Sequence, residues 1–333
     1  MSALTDRFGR EHDYLRISVT DRCNLRCLYC MPEEGVKFEP AENLLSYDHI
    51  TEVVRTAAGL GITKLRITGG EPLVRPGLAG LVSELAGIPG IRDIALTTNG
   101  VLLAEQAEEL RAAGLKRVNI SLDTLDPARF RFIARRGDLQ RVLQGIEAAA
   151  AAGFAPIKLN CVLLKGVNED EIASFLEMAV TRPLHVRFIE YMPIGHADEN
   201  WRNHYLPLSR VLDIARENKL EVEPMRDVPG NGPSDDYRIK GGIGTFGLIH
   251  PISDQFCTRC NRLRLTADGN LQPCLYWVDE LNVKPALGNP AALESLFMRA
   301  LQIKPRNHEM AAKLANETLS HEPTARRMSQ IGG

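Results

Sequence analysis

Three cysteines fall within eight residues: Cys23, Cys27 and Cys30, in the stretch Thr20-Asp21-Arg22-Cys23-Asn24-Leu25-Arg26-Cys27-Leu28-Tyr29-Cys30. The spacing Cys-x3-Cys-x2-Cys lets three thiolates turn toward one inorganic cluster. Iron–sulfur clusters ordinarily take four cysteine ligands. Three ligands on a cubane leave one iron open, and an open coordination site serves chemistry rather than structure. Half of a zinc site is the plainer alternative, but zinc favours paired Cys-x2-4-Cys knuckles with a second pair elsewhere. A catalytic cluster is the expectation.

A second set, Cys257, Cys260 and Cys274, reads Cys-x2-Cys-x13-Cys. Taken alone it suits zinc, with His250 as fourth ligand, or another iron–sulfur cluster; the first triplet tips the reading to iron–sulfur. Within it, Asn261-Arg262-Leu263-Arg264 puts Arg262 and Arg264 on one strand face. Guanidinium groups bind phosphate in bidentate fashion. The seventh cysteine, Cys161, falls on the apolar side of its strand and reads as a small buried hydrophobe.

The elements that must position these groups alternate. Candidate strands are Tyr14–Val19, Lys64–Thr68, Asp93–Thr97, Arg117–Leu122, Ile157–Leu163 and His185–Ile189. Candidate helices between them are Tyr47–Leu60, Gly77–Ala86, Ala104–Ala113, Leu139–Ala152 and Asp170–Val180, with Gly61, Gly114 and Gly153 at C-cap positions. Such alternation implies a mainly parallel sheet with right-handed crossovers. Each strand carries one polar face: Arg16 and Ser18; Lys64, Arg66 and Thr68; Asn119 and Ser121; Lys158 and Asn160; His185 and Arg187. A closed barrel packs its interior with branched apolar side chains. A polar interior fits a wider, open barrel around a polar, anionic ligand. Loops after the strands, Gly69-Gly70-Glu71-Pro72, Thr97-Thr98-Asn99-Gly100 and Ser121-Leu122-Asp123, fall where such folds keep their active sites. The glycine pair lets backbone approach a ligand, and its N–H groups could receive a carboxylate.

The chain has 333 residues, 25% charged and 44% hydrophobic, with net charge −2. That balance is globular and advertises neither nucleic acid nor membrane. The N-terminus has no apolar signal core, and seven cysteines is an odd count. A cytoplasmic protein using thiols for metal is expected rather than a disulfide framework. Pro224–Pro233 reads as a linker, followed by strands at Asp235–Lys240 and Thr245–His250 and a helix at Ala291–Gln302.

The Cys23/Cys27/Cys30 triplet resembles the signature of radical S-adenosylmethionine (SAM) enzymes, and Gly69–Pro72 resembles their SAM-binding loop. Taken with Arg16–Asn24, Arg66–Pro72, the Cys257/Cys260/Cys274 set around Asn261–Arg264, and the Gly332-Gly333 terminus, nearly the whole chain resembles the GTP 3′,8-cyclase (molybdenum cofactor biosynthesis protein A) family. That resemblance implies an α/β fold, an incomplete, open (βα)6 TIM-type barrel over residues 1–230. A C-terminal auxiliary-cluster domain, 231–333, would carry the second cluster and the tail. It implies two [4Fe–4S] clusters, one on each cysteine set. The open iron of the first would take SAM, and that of the second the guanine of GTP. Tyr29, Gly70, Ser121 and Met192 would contact SAM. Arg16, Arg66, Thr97, Lys158, Arg262, Leu263 and Arg264 would bind GTP. Arg16, Arg262, Arg264 and the tail Gly332 and Gly333 would serve catalysis, the tail entering the active site instead of fraying. The reaction implied is radical conversion of GTP to (8S)-3′,8-cyclo-7,8-dihydroguanosine 5′-triphosphate, the first step of molybdenum cofactor biosynthesis. Implied partners are a flavodoxin or ferredoxin as electron donor and cyclic pyranopterin monophosphate synthase downstream, with the chain a monomer or homodimer. The alternatives are a radical SAM enzyme acting on another substrate such as a peptide, and a two-cluster electron carrier. Peptide enzymes tend to use more auxiliary cysteines, and carriers are small with four cysteines per cluster.

Overall fold

The computed structural model of the chain describes residues 4–195, 201–225, 232–253, 256–315 and 317–332. The six expected strands form: β1 (Tyr14–Ser18), β2 (Lys64–Thr68), β3 (Asp93–Thr98), β4 (Arg117–Ser121), β5 (Ile157–Leu163) and β6 (Leu184–Glu190). Between them run α1 (Tyr47–Gly59), α2 (Leu78–Ala86), α3 (Leu103–Ala112), α4 (Pro127–Ala134), α5 (Leu139–Ala151) and α6 (Ile172–Thr181). Local chemistry explains these boundaries. Ser46 Oγ accepts the His49 N–H to cap α1, and Asp138 caps α5. Asp126 caps α4, which sequence periodicity does not reveal, with Pro127 at its first position. The expected cap glycines have φ of +107° (Gly61), +106° (Gly114) and +78° (Gly153).

The C-terminal half widens the sheet at both edges. After α7 (Ser209–Glu217) come β7 (Val222–Pro224), β8 (Ser234–Ile239), β9 (Thr245–Ile249), β10 (Arg262–Leu265), β11 (Asn270–Gln272) and β12 (Leu281–Asn282). Then follow α8 (Pro290–Ile303), α9 (Met310–Leu314) and α10 (Met328–Ile331). The strand order is β12-β11-β10-β1-β2-β3-β4-β5-β6-β9-β8-β7. β10 pairs parallel with β1, and β9 parallel with β6. The parallel wall is thus wider than six units, and its outermost strands β7 and β12 do not meet. The linker expected at Pro224–Pro233 lies largely outside the described residues.

The outward strand faces hold the core. Leu15, Ile17, Leu65, Ile67, Val118, Ile120, Leu159, Cys161, Val186 and Phe188 are buried among the helices. Each such side chain contributes about 1.5–3 kcal/mol by leaving water. This one-sided burial keeps the inner face free for polar groups. Helix packing is close where α5 crosses the β3–α3 turn: a Cβ on Gly145 would lie 2.5 Å from the Gly100 carbonyl oxygen. Gly145→Ala is therefore expected to destabilise the chain by about 1–3 kcal/mol, read as a lower urea midpoint with unchanged m-value. Among the described residues no helix is long and apolar enough to cross a membrane.

Candidate active site

The polar strand faces line one cavity. Its wall includes Arg16, Lys64, Arg66, Thr97, Ser121, Lys158, Asn160, Arg187, Arg262 and Arg264, and its mouth includes Cys23, Cys27, Tyr29, Cys30, Gly70 and Met192. Register explains the basic wall. Arg264 on β10 stands beside Arg16 on β1, which stands beside Arg66 on β2. One step down, Arg262, Tyr14 and Lys64 are abreast in the same way. Across the cavity Asn119, Lys158 and His185 are in register, as are Asn160 and Arg187.

Burying so many cations together perturbs them. Burial, and then the Arg264 charge, hold Arg16 well below its usual value. Burial followed by Arg262 lowers Arg264 to about 10. Burial followed by Arg187 and Arg117 lowers Lys158 to about 7. Neutral partners take part of the load: Arg187 Nη2 donates to Asn119 Oδ1 (2.8 Å) and Asn160 Oδ1 (2.6 Å), and Arg66 Nε donates to the Tyr14 hydroxyl. A wall of cations in which Arg16, Lys158, Arg187 and Arg264 are held partly out of water is a preformed receptor for a polyanion.

The two cysteine sets lie at opposite ends of this wall. Cys23–Cys30 follow the C-terminal end of β1, while Cys257 and Cys260 precede the N-terminal end of β10, its parallel neighbour. The strand between them spans roughly 15 Å at about 3.3 Å per residue. Cys23, Cys27 and Cys30 line the cavity itself; at the other end Phe256, Arg262 and Leu275, neighbours of the second set, do so.

Both sets fit multi-iron clusters. Among the described residues no three His, Cys, Asp or Glu side chains close around a single-ion position; what each set offers is three free thiols. Within each triplet the thiols still feel one another's charge. Nitrogen donors aim at sulfur: Leu25 N at Cys23 Sγ (3.4 Å) and Asn99 Nδ2 at the same atom (3.8 Å). Burial pushes Cys23 up to about 12 and Cys30 to about 11, so these thiols need a cation to ionise. Burial would raise Cys260 too, but the charges of Lys304 and Arg262 outweigh it and hold that thiol at about 6. Buried Lys304 donates to the carbonyls of Arg262 (2.8 Å) and Pro273. His250, the alternative fourth ligand, turns to Ser253 Oγ (3.3 Å) and Glu190 instead.

The Gly69-Gly70-Glu71 loop departs from the simplest expectation. Gly70 N donates to the Thr20 carbonyl and Glu71 N to the Arg22 carbonyl, both at 2.8 Å, so neither is left for a ligand carboxylate. The glycines serve contact with the cysteine loop: a Cβ on Gly70 would lie 2.3 Å from the Arg22 oxygen. Buried Glu71 accepts from Thr98 Oγ1 (2.8 Å), Asn99 N (2.6 Å) and Leu73 N (3.0 Å), tying the β3 loop to this one.

Leu263 is the other correction. Its side chain points away from the cavity into the core beside Leu15, because it alternates with Arg262 and Arg264, so only its backbone is left to meet a ligand. The tail folds back to the cavity: the Gly332 carbonyl accepts from Arg264 Nη1 at 2.8 Å, and Met328 and Ser329 line the cavity. Gly333 lies outside the described residues.

Several site residues are not apparent from the sequence. Asp123 accepts the Tyr29 hydroxyl (2.6 Å) and Val162 N (2.8 Å), with burial pushing it up to about 6. Glu190 accepts from Ile252 N (2.8 Å) and Ser253 Oγ (2.5 Å), fixing the segment before Cys257. Arg326 grips Asp268 (3.1 and 2.8 Å) and Glu280 (2.7 and 2.9 Å), anchoring the tail. Asp123 at least ends one of the loops that follow the strands; the others carry no local signal.

Residues 17–179 match the family described as Radical SAM superfamily, and residues 184–310 the family described as Molybdenum Cofactor Synthesis C. The chain is 55% identical to a GTP 3′,8-cyclase of Listeria monocytogenes over 333 residues, all of both chains. It is 48% identical to one of Lactiplantibacillus plantarum, again over both whole chains. A third, from Moorella thermoacetica, is 50% identical over 99% of this chain and 100% of its own. Streptococcus suis SuiB bound to S-adenosylmethionine shares the fold at 14% identity with a TM-score of 0.59, over 91% of this chain and 67% of that one. Native anSMEcpe with bound AdoMet does so at 16% identity and 0.56, over 89% and 82%. Full-length identity near one half, across both the triplet-bearing barrel and the segment that carries the second cysteine set, leaves one assignment: the chain belongs to the GTP 3′,8-cyclase family of the radical SAM superfamily.

Proposed function

We propose that this chain converts GTP to (8S)-3′,8-cyclo-7,8-dihydroguanosine 5′-triphosphate, opening molybdenum cofactor biosynthesis. The observation that carries this reading is the row Arg264–Arg16–Arg66, with Arg264 buried and all three lining the cavity between two three-cysteine sets. A [4Fe–4S] cluster on Cys23, Cys27 and Cys30, with SAM on its open iron, would supply the one-electron chemistry that takes hydrogen from C3′ of the ribose.

The chain's own groups do the rest. Arg16, Arg66, Lys158, Arg262 and Arg264 offset the triphosphate charge, with Thr97 and the Leu263 backbone beside them. Tyr29, held by Asp123, and Gly70, Ser121 and Met192 line the same cavity and would surround SAM. Cys257, Cys260 and Cys274 would hold a second [4Fe–4S] cluster, at the end of the cavity that would receive the guanine. Residues 328–332 cover the cavity and keep water from the reacting centre. The barrel portion, 1–230, thus handles SAM, and 231–333 supplies the base-binding end and the tail. A flavodoxin or ferredoxin in the cytoplasm is the reductant, and the product passes to cyclic pyranopterin monophosphate synthase.

The test is anaerobic incubation of reconstituted protein with SAM, GTP and dithionite. Both 5′-deoxyadenosine and cyclised GTP should form, on about eight irons per chain. Deoxyadenosine with unchanged GTP would sink the substrate reading.

Lys158 gives GTP binding a pH signature. Its depressed value, about 7, rises once a triphosphate sits beside it, so binding takes up a proton. Affinity should be full below pH 7 and fall as pH rises above it, by at most about tenfold per unit. Calorimetry in buffers of different ionisation enthalpy should detect the uptake at pH 8, and Lys158→Met should abolish it.

A further inference from the structure

The cluster loop has an inner and an outer side. The inner side faces the cavity that SAM and substrate occupy, so an electron reaching the cluster during turnover enters from outside. The outer side is covered by the last turn of α4. Ala134 O accepts from Arg26 N and Ile133 O from Leu28 N, both at 3.0 Å. Arg26 and Leu28 are the two neighbours of Cys27 in the chain. Arg135 adopts φ of +57°, unusual for a residue with a Cβ, and its Nη1 donates to Met31 O at 3.1 Å. A Cβ on Gly137 would lie 2.7 Å from Leu25 Cδ2. The turn is therefore locked onto the cluster loop at several points.

This turn presents an unusual surface. Phe132 is 59% exposed, directly before the two carbonyls that bond the cluster loop. Arg131 and Arg136 are also exposed, and neither has an ion-pair partner among the described residues. Arg129 differs, being held by Asp170 and Glu171. Residues 126–138 carry four arginines against two aspartates, in a chain of net charge −2. An aromatic flanked by unpaired arginines is the composition that protein interfaces favour at their centres. The loop beyond Cys30 exposes Glu33 and Glu34, which would repel an acidic partner and bias it toward the α4 turn.

We propose that the turn bearing Arg131, Phe132 and Arg136 docks an acidic one-electron carrier protein, which reduces the cluster on Cys23, Cys27 and Cys30. The carrier gives up one electron and the cluster gains one, with no proton exchanged at the contact. One hydrogen bond separates the docked surface from the residues flanking Cys27. The charge makes the encounter fast and salt-sensitive. The proposal rests on the radical SAM activity above but not on GTP as substrate.

The test compares two reductants at equal iron content, reading 5′-deoxyadenosine formation from SAM without GTP. With reduced flavodoxin, Phe132→Asp and the pair Arg131→Glu/Arg136→Glu should each lower kcat/KM for the carrier by about tenfold or more. With dithionite their rates should match the unsubstituted chain. Added salt should slow the flavodoxin reaction alone. Equal flavodoxin rates in variant and parent would overturn the docking face. So would parallel loss with both reductants, which marks a structural role. An unsubstituted chain that dithionite reduces but flavodoxin does not would overturn the acidic-carrier class. A parent dimer that Phe132→Asp converts to monomer, by light scattering, would assign the face to a second copy of this chain. Because GTP is absent, a wrong substrate assignment leaves all these outcomes readable.

Discussion

Gly332→Val is expected to stop cyclisation while leaving both clusters and SAM cleavage in place. Gly332 sits at φ +79°, a conformation that a β-branched residue resists, and a Cβ there would be 2.3 Å from Thr68 Cγ2. Thr68 ends β2, immediately before the Gly69-Gly70 loop, so nothing soft stands behind the collision. The tail must withdraw, and its carbonyl leaves Arg264. A shift of about 1 Å in a group that orients substrate costs roughly 10²-fold in rate; a displaced tail should cost at least that. The ratio of deoxyadenosine to cyclised GTP is the measurement. A ratio unchanged from the parent would mean the tail is a bystander.

Arg264→Ala should lower GTP turnover by about 10²–10³, the size seen when one preorganised donor is removed from a charge-stabilising site. Arg264 is 5% exposed, and its neighbours Arg262 and Arg16 crowd it further. Such a cation is maintained against desolvation for an anion that arrives later. SAM cleavage without product should persist, since the thiols whose charge Arg264 feels are Cys274 and Cys260 and not those of the first triplet. Loss of iron from both sets would instead make Arg264 structural. Because Arg264 Nη1 also holds the Gly332 carbonyl, the two substitutions should not add. A double-mutant cycle should show coupling of about 0.5–3 kcal/mol, the range for residues in direct contact.

What is legible in the sequence follows a physical division. Strand alternation is local, so the inward set Arg16, Arg66, Lys158 and Arg187 can be read from the residue order alone. Cysteine spacing is local as well. Tertiary register is not: that Arg264 stands beside Arg16 depends on β10 joining β1, from the far end of the chain. Arg326 illustrates the same limit, because its partners Asp268 and Glu280 gain meaning only once the tail folds back. Leu263 shows a different limit. Alternation already sets Arg262 and Arg264 on one strand face, so the Leu263 side chain goes to the core beside Leu15. The Gly69-Gly70 pair suggests ligand approach, when its nearest obligation is to the backbone of Thr20–Arg22.

The arginine row has a cost that falls on the resting enzyme. Like charges held on adjacent strands repel one another across the row, as the values of Arg16 and Arg264, lowered by burial and then by a neighbouring arginine, record. A polyanion bound along the row would offset that repulsion. A ligand that binds only the folded chain stabilises it by about 2.7 kcal/mol at a hundred times its dissociation constant, a gain that already includes the relief of that repulsion. Filled chains should therefore outlast empty ones under protease and heat, read as a slower digestion and a higher unfolding midpoint with nucleotide present than without it.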